Sequence, residues 1–291
     1  MGVPDLDGML AGIGFLDPLA GAIQKRIGRA LAGGGPAAAA AKDLLNGRRL
    51  GHPLHPLLTD LPIGAWTAST LLDLAASPES GLEPAADALI ALGCGSGALA
   101  ALAGLADWQD SYGPERRVGL AHGLLNSSAL ALFAGALGLR LAGRRRPARP
   151  LALAGYLLAA AGAYLGGDLV FRLGTQVNRN AWTDGPGDWC DAAAADNVRP
   201  GLLLKCEPAG VPVVLTRIQD EICAVGSVCP HAGGPLEDGS VEAGVVTCPW
   251  HGSRFDLSTG AVLRGPAFTP LPRYRVRVTD QGRVELRRSR R

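Results

Sequence analysis

The chain has 291 residues, enough for one to three domains, and 47% of them are hydrophobic while only 19% are charged. A formal net charge of +2 gives no basis for nucleic acid binding. Six cysteines scattered over a chain of this length exclude a small disulfide-stapled scaffold. Ala, Leu and Gly dominate the first two thirds, a composition typical of membrane helices.

Residues 1–50, an amphipathic and flexible region by prediction, contain one helical pattern. Leu16–Leu31 repeats apolar residues at helical spacing, with Lys25, Arg26 and Arg29 on the other side. This pattern predicts a helix that lies on a membrane surface or packs on protein. Gly33–Ala41 is of low complexity and predicts a hinge. Residues 1–20 lack a basic leader with an apolar core, so we expect no cleavable signal peptide.

Four apolar segments follow, at Leu57–Ala76, Ala85–Ala106, Val118–Leu141 and Leu151–Leu173. Each is long enough to cross a hydrocarbon core of about 30 Å. Because the breaks between them are short, neighbouring helices should be antiparallel, which predicts a four-helix transmembrane bundle over residues 51–173. Glycines spaced four residues apart allow close helix contact in lipid, or simply reflect the Ala- and Gly-rich composition.

Residues 174–187 are polar and turn-rich and predict a linker. Residues 188–291 contain short runs with strand character, at Val211–Arg217, Glu221–Val225, Val245–Thr247, Tyr274–Thr279 and Arg283–Arg287. Asp280–Gly282 predicts a hairpin turn between the last two. The predicted fold class is therefore α + β with two domains, a four-helix transmembrane bundle followed by an all-β domain.

Two short motifs in the β domain carry metal-ligating residues. Cys229-Pro-His231 is followed, after sixteen residues, by Cys248-Pro-Trp-His251. Zinc is one interpretation, because two cysteines and two histidines supply the donor atoms of a zinc finger. A zinc finger usually groups cysteine with cysteine, whereas each motif here contains one cysteine and one histidine. That pairing argues for a [2Fe–2S] cluster with two thiolates on one iron and two imidazoles on the other.

The stretch from Cys229 to Tyr274 closely resembles the Rieske family in its ligands, its glycines and its later proline-containing loop. The resemblance implies an incomplete barrel-like β sandwich with one cluster at its tip. It implies that the metal ligands are Cys229, His231, Cys248 and His251. It also implies that Leu236 and the loop Gly265-Pro266-Ala267 shield the cluster, and it adds no catalytic residue.

Histidine ligation sets the potential expected of such a cluster. Neutral imidazole donates less negative charge than thiolate, so Rieske centres span about −150 to +300 mV, against about −400 mV for plant-type ferredoxins. By the resemblance, Ser253 matches a hydroxyl that donates to a bridging sulfide in the respiratory branch, and Phe255 replaces that branch's tyrosine. Gly234 and Trp250 stand where that branch has a disulfide. We therefore expect a ferredoxin-like centre of low to middle potential.

Three histidines, His52, His55 and His122, lie outside the β domain. The segment around the first two resembles an uncharacterised family of bacterial four-helix membrane proteins with an H-P-x-H-P motif, which implies a bundle and no settled activity. All three should lie near one membrane face, because the first and third predicted helices run in the same direction. We expect these acidic residues to accompany them: Asp60, Asp73, Asp87, Asp107 and Asp168.

Three interpretations of these histidines remain open. One is a haem or metal site made by His52 or His55 with His122. A second is a quinone site in which a histidine and Asp60 handle protons. The third is that these groups only cap helices and satisfy one another.

Seven basic residues near the helix ends lie on the side of the β domain and five on the opposite side, which favours a cytoplasmic β domain.

The sequence thus predicts a multi-pass protein of the cell membrane that carries one electron between an unidentified donor and acceptor. Its alternatives are a component that feeds a separate oxygenase or reductase, and a membrane redox sensor. We expect lipid as a partner and no nucleic acid, while the oligomeric state is not predicted. We expect no oxygenase site in this chain, which would need a second, mononuclear iron domain.

Overall fold

The computed structural model describes residues 13–75 and 81–289. The chain divides into two compact units. The first contains residues up to Leu45 together with Pro53–Thr175, and the second contains Asn46–His52 together with the chain from Gln176 onward. The first unit is helical and the second is built mainly from β-strands, which confirms the predicted division into a helical part and a β domain.

Six helices form the described part of the first unit: α1 (Leu16–Gly33), α2 (Gly35–Leu45), α3 (Leu54–Ala75), α4 (Glu83–Trp108), α5 (Gly113–Leu141) and α6 (Arg145–Phe171). Helix α6 begins at Arg145, six residues before the predicted start of the fourth apolar segment at Leu151. Pro147 lies in its first turn, where a missing N–H costs no hydrogen bond. Arg145 is held there by an ion pair with Glu83 at 3.0 Å.

The hinge predicted at Gly33–Ala41 is wrong, because most of it belongs to helix α2. This segment contains a run of alanines, and alanine has the strongest helix propensity of any residue type. Pro36 takes the second helical position, where it is tolerated, so composition that looked flexible instead forms a helix.

Helix α1 packs on protein within the helical unit. Gln24 Nε2 donates a hydrogen bond to the Trp108 carbonyl at 3.0 Å. Asp17, in the first turn, forms an ion pair with Arg116 at 2.6 Å. These contacts join α1 to the end of α4 and the start of α5, so α1 packs on protein, which is one of the two alternatives that the amphipathic pattern predicts.

Three helices, α4, α5 and α6, are long and apolar enough to cross a membrane. Among the described residues, α3 does not meet that criterion, so the predicted count of four spans is not confirmed. Its polar residues, which include His55, Asp60 and Asp73, lower its hydropathy. The predicted end of this segment, Ala76, lies outside the described residues.

Small residues fill the core of the helical unit. Ala100, Ala103 and Ala136 are among its buried residues, and the largest buried rings are Trp66 and Phe133. These two rings stack with centroids 4.5 Å apart and planes 7° apart. Alanines around one aromatic pair let the helix backbones approach closely, as they do in membrane bundles.

The described part of the second unit contains ten strands, which form three antiparallel sheets. The first has the order β1 (Cys190–Ala194), β10 (Arg283–Arg288), β9 (Tyr274–Val278). The second is β2 (Leu204–Cys206), β3 (Val213–Ile218), β4 (Glu221–Gly226). The third is β5 (Ser240–Glu242), β6 (Val245–Thr247), β7 (Arg254–Asp256), β8 (Val262–Arg264).

Strand β3 is buried on both faces. Val213 and Leu215 pack in one core with Tyr274, while Val214 packs in a second core with Phe255. This double burial explains why β3 reads as a continuous apolar run, which made it predictable. The five predicted strands are confirmed within about two residues at their ends. Strand β7 was not predicted, because two of its three residues are charged and it forms no apolar run like that of β6.

Candidate metal centre

Two loops of the β unit have the same local construction. In each, the cysteine carbonyl accepts a hydrogen bond from a glycine N–H, Cys229 from Gly233 at 2.9 Å and Cys248 from Gly252 at 3.1 Å. Both glycines have positive φ, +85° and +72°, a conformation that other residues rarely adopt. Each loop therefore turns back tightly just after its cysteine.

The two loops bring the four predicted ligands together. The imidazoles of His231 and His251 lie edge to face, with ring centroids 4.9 Å apart. The thiols of Cys229 and Cys248 hydrogen-bond to each other, and both cysteines are buried. Thiol thus meets thiol and imidazole meets imidazole, although each loop contributes one of each. A two-iron cluster requires this division, because thiolates hold one iron and imidazoles hold the other.

Backbone N–H groups surround both sulfur atoms. Cys229 accepts hydrogen bonds from the N–H groups of His231 and Ala232, and Cys248 from those of Trp250 and His251. The hydrogen bond with Cys229, aided by these N–H groups and opposed by burial, lowers the pKa of the Cys248 thiol to about 6. The pair of thiols therefore favours one thiolate, at Cys248, and the thiolate is the form that binds metal.

The surroundings of the cysteines are tightly packed. Leu236 is fully buried in the core cluster that contains both cysteines. Gly234 leaves no space for a side chain, because a Cβ atom there would lie 2.9 Å from Cys248 Sγ. All six cysteines lie in the described part of the chain and are free thiols, so no disulfide joins the loops.

Ser253 connects the second ligand loop to the proline-containing loop. Its buried hydroxyl oxygen accepts a hydrogen bond from the Ala267 N–H at 3.0 Å. The Gly265–Pro266 peptide bond just before Ala267 is cis. Because this contact uses only a lone pair of the oxygen, the Ser253 O–H can still donate a hydrogen bond, as the resemblance implies.

Asn180 was not predicted to belong to this site, since it lies in the segment predicted as a linker. It is buried, and its Nδ2 donates to the Val228 carbonyl at 2.8 Å, beside Cys229. The neighbouring Arg179 N–H donates to the Pro230 carbonyl at 3.1 Å. Both bonds brace the first ligand loop, and a polar, turn-rich composition alone does not reveal the partner of an asparagine.

Comparison with known proteins agrees with this geometry. A family model described as Rieske [2Fe-2S] domain matches residues 188–275, which contain both ligand loops. The ferredoxin component of the naphthalene 1,2-dioxygenase/salicylate 5-hydroxylase systems of Ralstonia sp is 31% identical over 100 residues, covering 34% of this chain and 95% of that protein. The chain belongs to the Rieske [2Fe–2S] family. A second model, described as predicted membrane protein (DUF2231), matches residues 51–179.

Further relatives match the same Rieske domain. The anthranilate 1,2-dioxygenase ferredoxin subunit of Burkholderia cepacia is 39% identical over 75 residues, which cover 26% of this chain and 68% of that protein. Among solved structures, the ferredoxin of carbazole 1,9a-dioxygenase from Nocardioides aromaticivorans IC177 is 28% identical, with a TM-score of 0.33 over 35% of this chain and 100% of that chain. The homology to ferredoxin components makes this a Rieske electron-transfer protein that also carries a membrane domain.

In the helical unit, the structure brings together two of the three predicted histidines. The ring centroids of His55 and His122 are 6.1 Å apart. Nδ1 of His55 lies 2.8 Å from the Ala100 carbonyl oxygen, and Nδ1 of His122 lies 2.8 Å from that of Gly162. His52 precedes α3, is exposed and belongs to the other unit.

The acidic residues Asp73 and Asp87 do not accompany the histidines, so this prediction is wrong. Both form ion pairs with Arg140, whose side chain is only 1% exposed. Asp73 lies 18 residues beyond His55 on α3, and the helical rise separates them by about 27 Å. The charge cluster therefore occupies the opposite end of the helices.

Proposed function

We propose that the cluster of this Rieske protein is held by Cys229, His231, Cys248 and His251. One observation carries the proposal. Each loop supplies one cysteine and one histidine, yet the two thiols contact each other and the two imidazoles contact each other. When bound, the cluster supplies a one-electron couple.

The surrounding residues tune and expose the site. Leu236 and Ala267 are buried and exclude water on the protein side. The backbone N–H groups at both sulfurs stabilise negative charge there. His231 is 7% exposed, whereas His251 is partly exposed and Trp250 is 47% exposed. Electrons therefore enter and leave on the side of His251.

Matched cysteine variants test the ligand assignment. The full chain is purified in mild detergent, and its iron content and electron paramagnetic resonance spectrum are recorded. Cys229→Ser should lose the Rieske signal and its iron by more than about tenfold. Cys223→Ser, which changes a half-buried free thiol in strand β4, should keep both. A Rieske signal retained in C229S, or none in iron-loaded wild-type protein, would contradict the assignment.

The second candidate function is electron supply to a separate oxygenase. It is favoured by relatives whose names describe them as ferredoxin components of dioxygenase systems. Reduced protein in detergent should then be oxidised by such an oxygenase in the presence of its substrate, faster than by oxygen alone. If instead the helices change their proteolysis pattern with cluster redox state and no oxygenase is reduced, the chain is a redox sensor.

The Rieske domain is proposed to face the cytoplasm, because the basic residues near the helix ends favour that side. Reporter fusions after the last residue test this: a fluorescent-protein fusion should be active and an exported-phosphatase fusion inactive.

We also propose a redox cofactor, haem or quinone, beside the histidines of the helical unit. The proposal is supported by the 6.1 Å separation between the ring centroids of His55 and His122.

A further inference from the structure

The two helical hairpins α3–α4 and α5–α6 repeat each other. A shift of 67 residues carries α3 onto α5 and matches His55 with His122, Trp66 with Phe133 and Asp73 with Arg140. A shift of 62 residues carries α4 onto α6, and matches the buried Ala86, Gly93 and Ala103 with the buried Ala148, Gly155 and Leu165. Sequence identity between the hairpins is low, so the repeat becomes evident only from burial and contacts.

The contacts of the histidines repeat with the same shifts. His55 reaches the carbonyl of Ala100 and His122 reaches that of Gly162, both at 2.8 Å. One turn further along, a glycine packs against each ring. A Cβ atom would lie 2.8 Å from the His55 ring at Gly104 and 3.1 Å from the His122 ring at Gly166. Each hairpin thus holds its histidine in the same way.

Three matched pairs meet each other between the hairpins, which defines an approximate two-fold axis. Two of these layers are chemically complementary: Trp66 stacks on Phe133, and Asp73 forms an ion pair with Arg140. The third layer brings together two identical imidazoles. Two identical imidazoles, unlike the aspartate and arginine of the charged layer, do not complement each other in charge.

The hydrogen bonds of the two histidines determine which ring nitrogens can still bind a ligand. A carbonyl oxygen only accepts, so each Nδ1 must carry the proton and each Nε2 keeps a lone pair. The amide nitrogen of Asn126 donates one hydrogen to the His122 carbonyl at 2.9 Å, and its second hydrogen has only a long contact, at 3.5 Å between nitrogens, with Nε2 of His122. The Nε2 atoms of His55 and His122 therefore keep their lone pairs in one layer of the bundle.

We infer that His55 and His122 form a two-imidazole site for a transition metal. Two imidazoles on opposite sides of one metal ion, each with a bond of about 2.0–2.1 Å, hold their ring centroids about 6 Å apart. The observed separation is 6.1 Å. The inference rests on the proposed redox cofactor of the helical unit and narrows it to a metal; it does not depend on the cluster ligands.

The number of protein ligands favours haem iron as the occupant. No third His, Cys, Asp or Glu joins this pair among the residues that the structure describes, whereas zinc sites take three or four protein ligands. A haem iron receives four nitrogens from its porphyrin and needs only axial ligands from the protein. Copper(I), which accepts two imidazoles alone, shares the same donor chemistry and is separated from haem by the test.

The full chain is expressed with iron, copper and a haem precursor, and purified in detergent. Haem is measured as its pyridine complex and copper by elemental analysis, each per chain. His55→Ala and His122→Ala should each lower the bound metal by at least about tenfold. His52→Ala, a change of the exposed histidine three positions before His55, should leave it unchanged. The Rieske resonance signal should persist in all three variants. Adding imidazole to His55→Gly should restore the lost absorbance.

Several outcomes would overturn the inference. One is wild-type protein with a full Rieske signal but neither haem nor copper. If quinone is extracted from that protein instead, the redox-cofactor proposal survives and only the metal is rejected. Equal loss in H52A would also reject the pair. If the alanine variants do not fold, His122→Met keeps an axial ligand and should shift the optical bands; unchanged bands would count against the site.

Discussion

Buried side chains in the Rieske domain are large, with Leu215, Leu236, Phe255 and Leu286 fully buried, whereas alanine and glycine line most of the helical core. In water, burial of apolar area drives folding, so large side chains stabilise the β domain. In lipid that force between helices is absent, and close backbone contact with a few polar pairs replaces it. The helical unit should therefore be most sensitive to lost polar pairs and added volume, whereas the Rieske domain, which apolar burial stabilises, should respond less to the loss of one polar contact.

The largest effect is expected from Arg140→Met in the helical unit. The change removes a buried charge and leaves Asp73 and Asp87 without their shared partner. Breaking a buried ion pair costs about 3–5 kcal/mol. Thermal unfolding of the full chain in detergent, followed by circular dichroism, measures the loss.

Arg149→Met serves as the matched control, because the side chain of Arg149 is 42% exposed and pairs with Glu83 at 3.6 Å. It should change the free energy of unfolding by about 0–1 kcal/mol. The double variant R140M/D73N should recover part of the stability lost in R140M. Equal melting of R140M and wild type would show that the polar layer does not hold the hairpins.

A smaller effect is expected from added volume at the aromatic pair. In Gly93→Ala the new Cβ atom would overlap Trp66 Nε1, whereas in Gly155→Ala it would lie 3.1 Å from Phe133. Overpacking of this kind costs about 1–3 kcal/mol, so G93A should melt lower than G155A. Trp66→Phe in the G93A background should restore stability, since it reproduces the ring of the second hairpin. Failure of that rescue would argue against the repeat.

In the Rieske domain, Ser253→Ala should lower both stability and reduction potential. It leaves the Ala267 N–H, now bonded at 3.0 Å, without its acceptor, at a cost of about 1–3 kcal/mol. It also removes the hydroxyl donor predicted to stabilise the reduced cluster. A redox titration and a melting curve measure the two effects separately. Ser258→Ala, in an exposed turn, should leave the potential unchanged; a potential unaffected by S253A would remove Ser253 from the tuning residues.

The smallest effect concerns pH. Burial raises the pKa of Glu237, but hydrogen bonds with Lys205, at 2.7 Å, and Ser227 outweigh burial and lower it below the ordinary value of 4.5. A lowered folded-state pKa contributes stability above pH 4.5, and that stability is lost as pH falls through the folded-state value. Glu237→Gln should flatten the pH dependence of melting in this acid range by less than about 1 kcal/mol. A wild-type profile in E237Q would show that the pair contributes nothing.

The iron–sulfur region was predictable because its chemistry is local in sequence. Cys229 and His231 share one loop and Cys248 and His251 another, so residue type and spacing were enough to propose all four. The buried strand β3 was also visible as an unbroken apolar run. Asn180 was not, because its contact with the Val228 carbonyl joins residues 48 positions apart.

The polar layers of the helical unit depend on longer distances. Arg140 was counted only as a basic residue near a helix end, yet it pairs with Asp73, 67 positions earlier. To predict an ion pair between two helices, one must know which face each helix turns toward the other. A helix that is hydrophobic all round has no apolar stripe from which that face can be read. The approach of His55 to His122 agrees with the expectation, drawn from helix direction, that both lie near one membrane face.

The Asp73–Arg140 layer also fixes how the two hairpins can associate. Two copies of the first hairpin would set aspartate against aspartate on the axis, and two copies of the second would set arginine against arginine. Either homodimer would bury like charges, while the unlike pair neutralises them. Because both hairpins belong to one chain, the aspartate of the first always has the arginine of the second as its partner, in equal numbers.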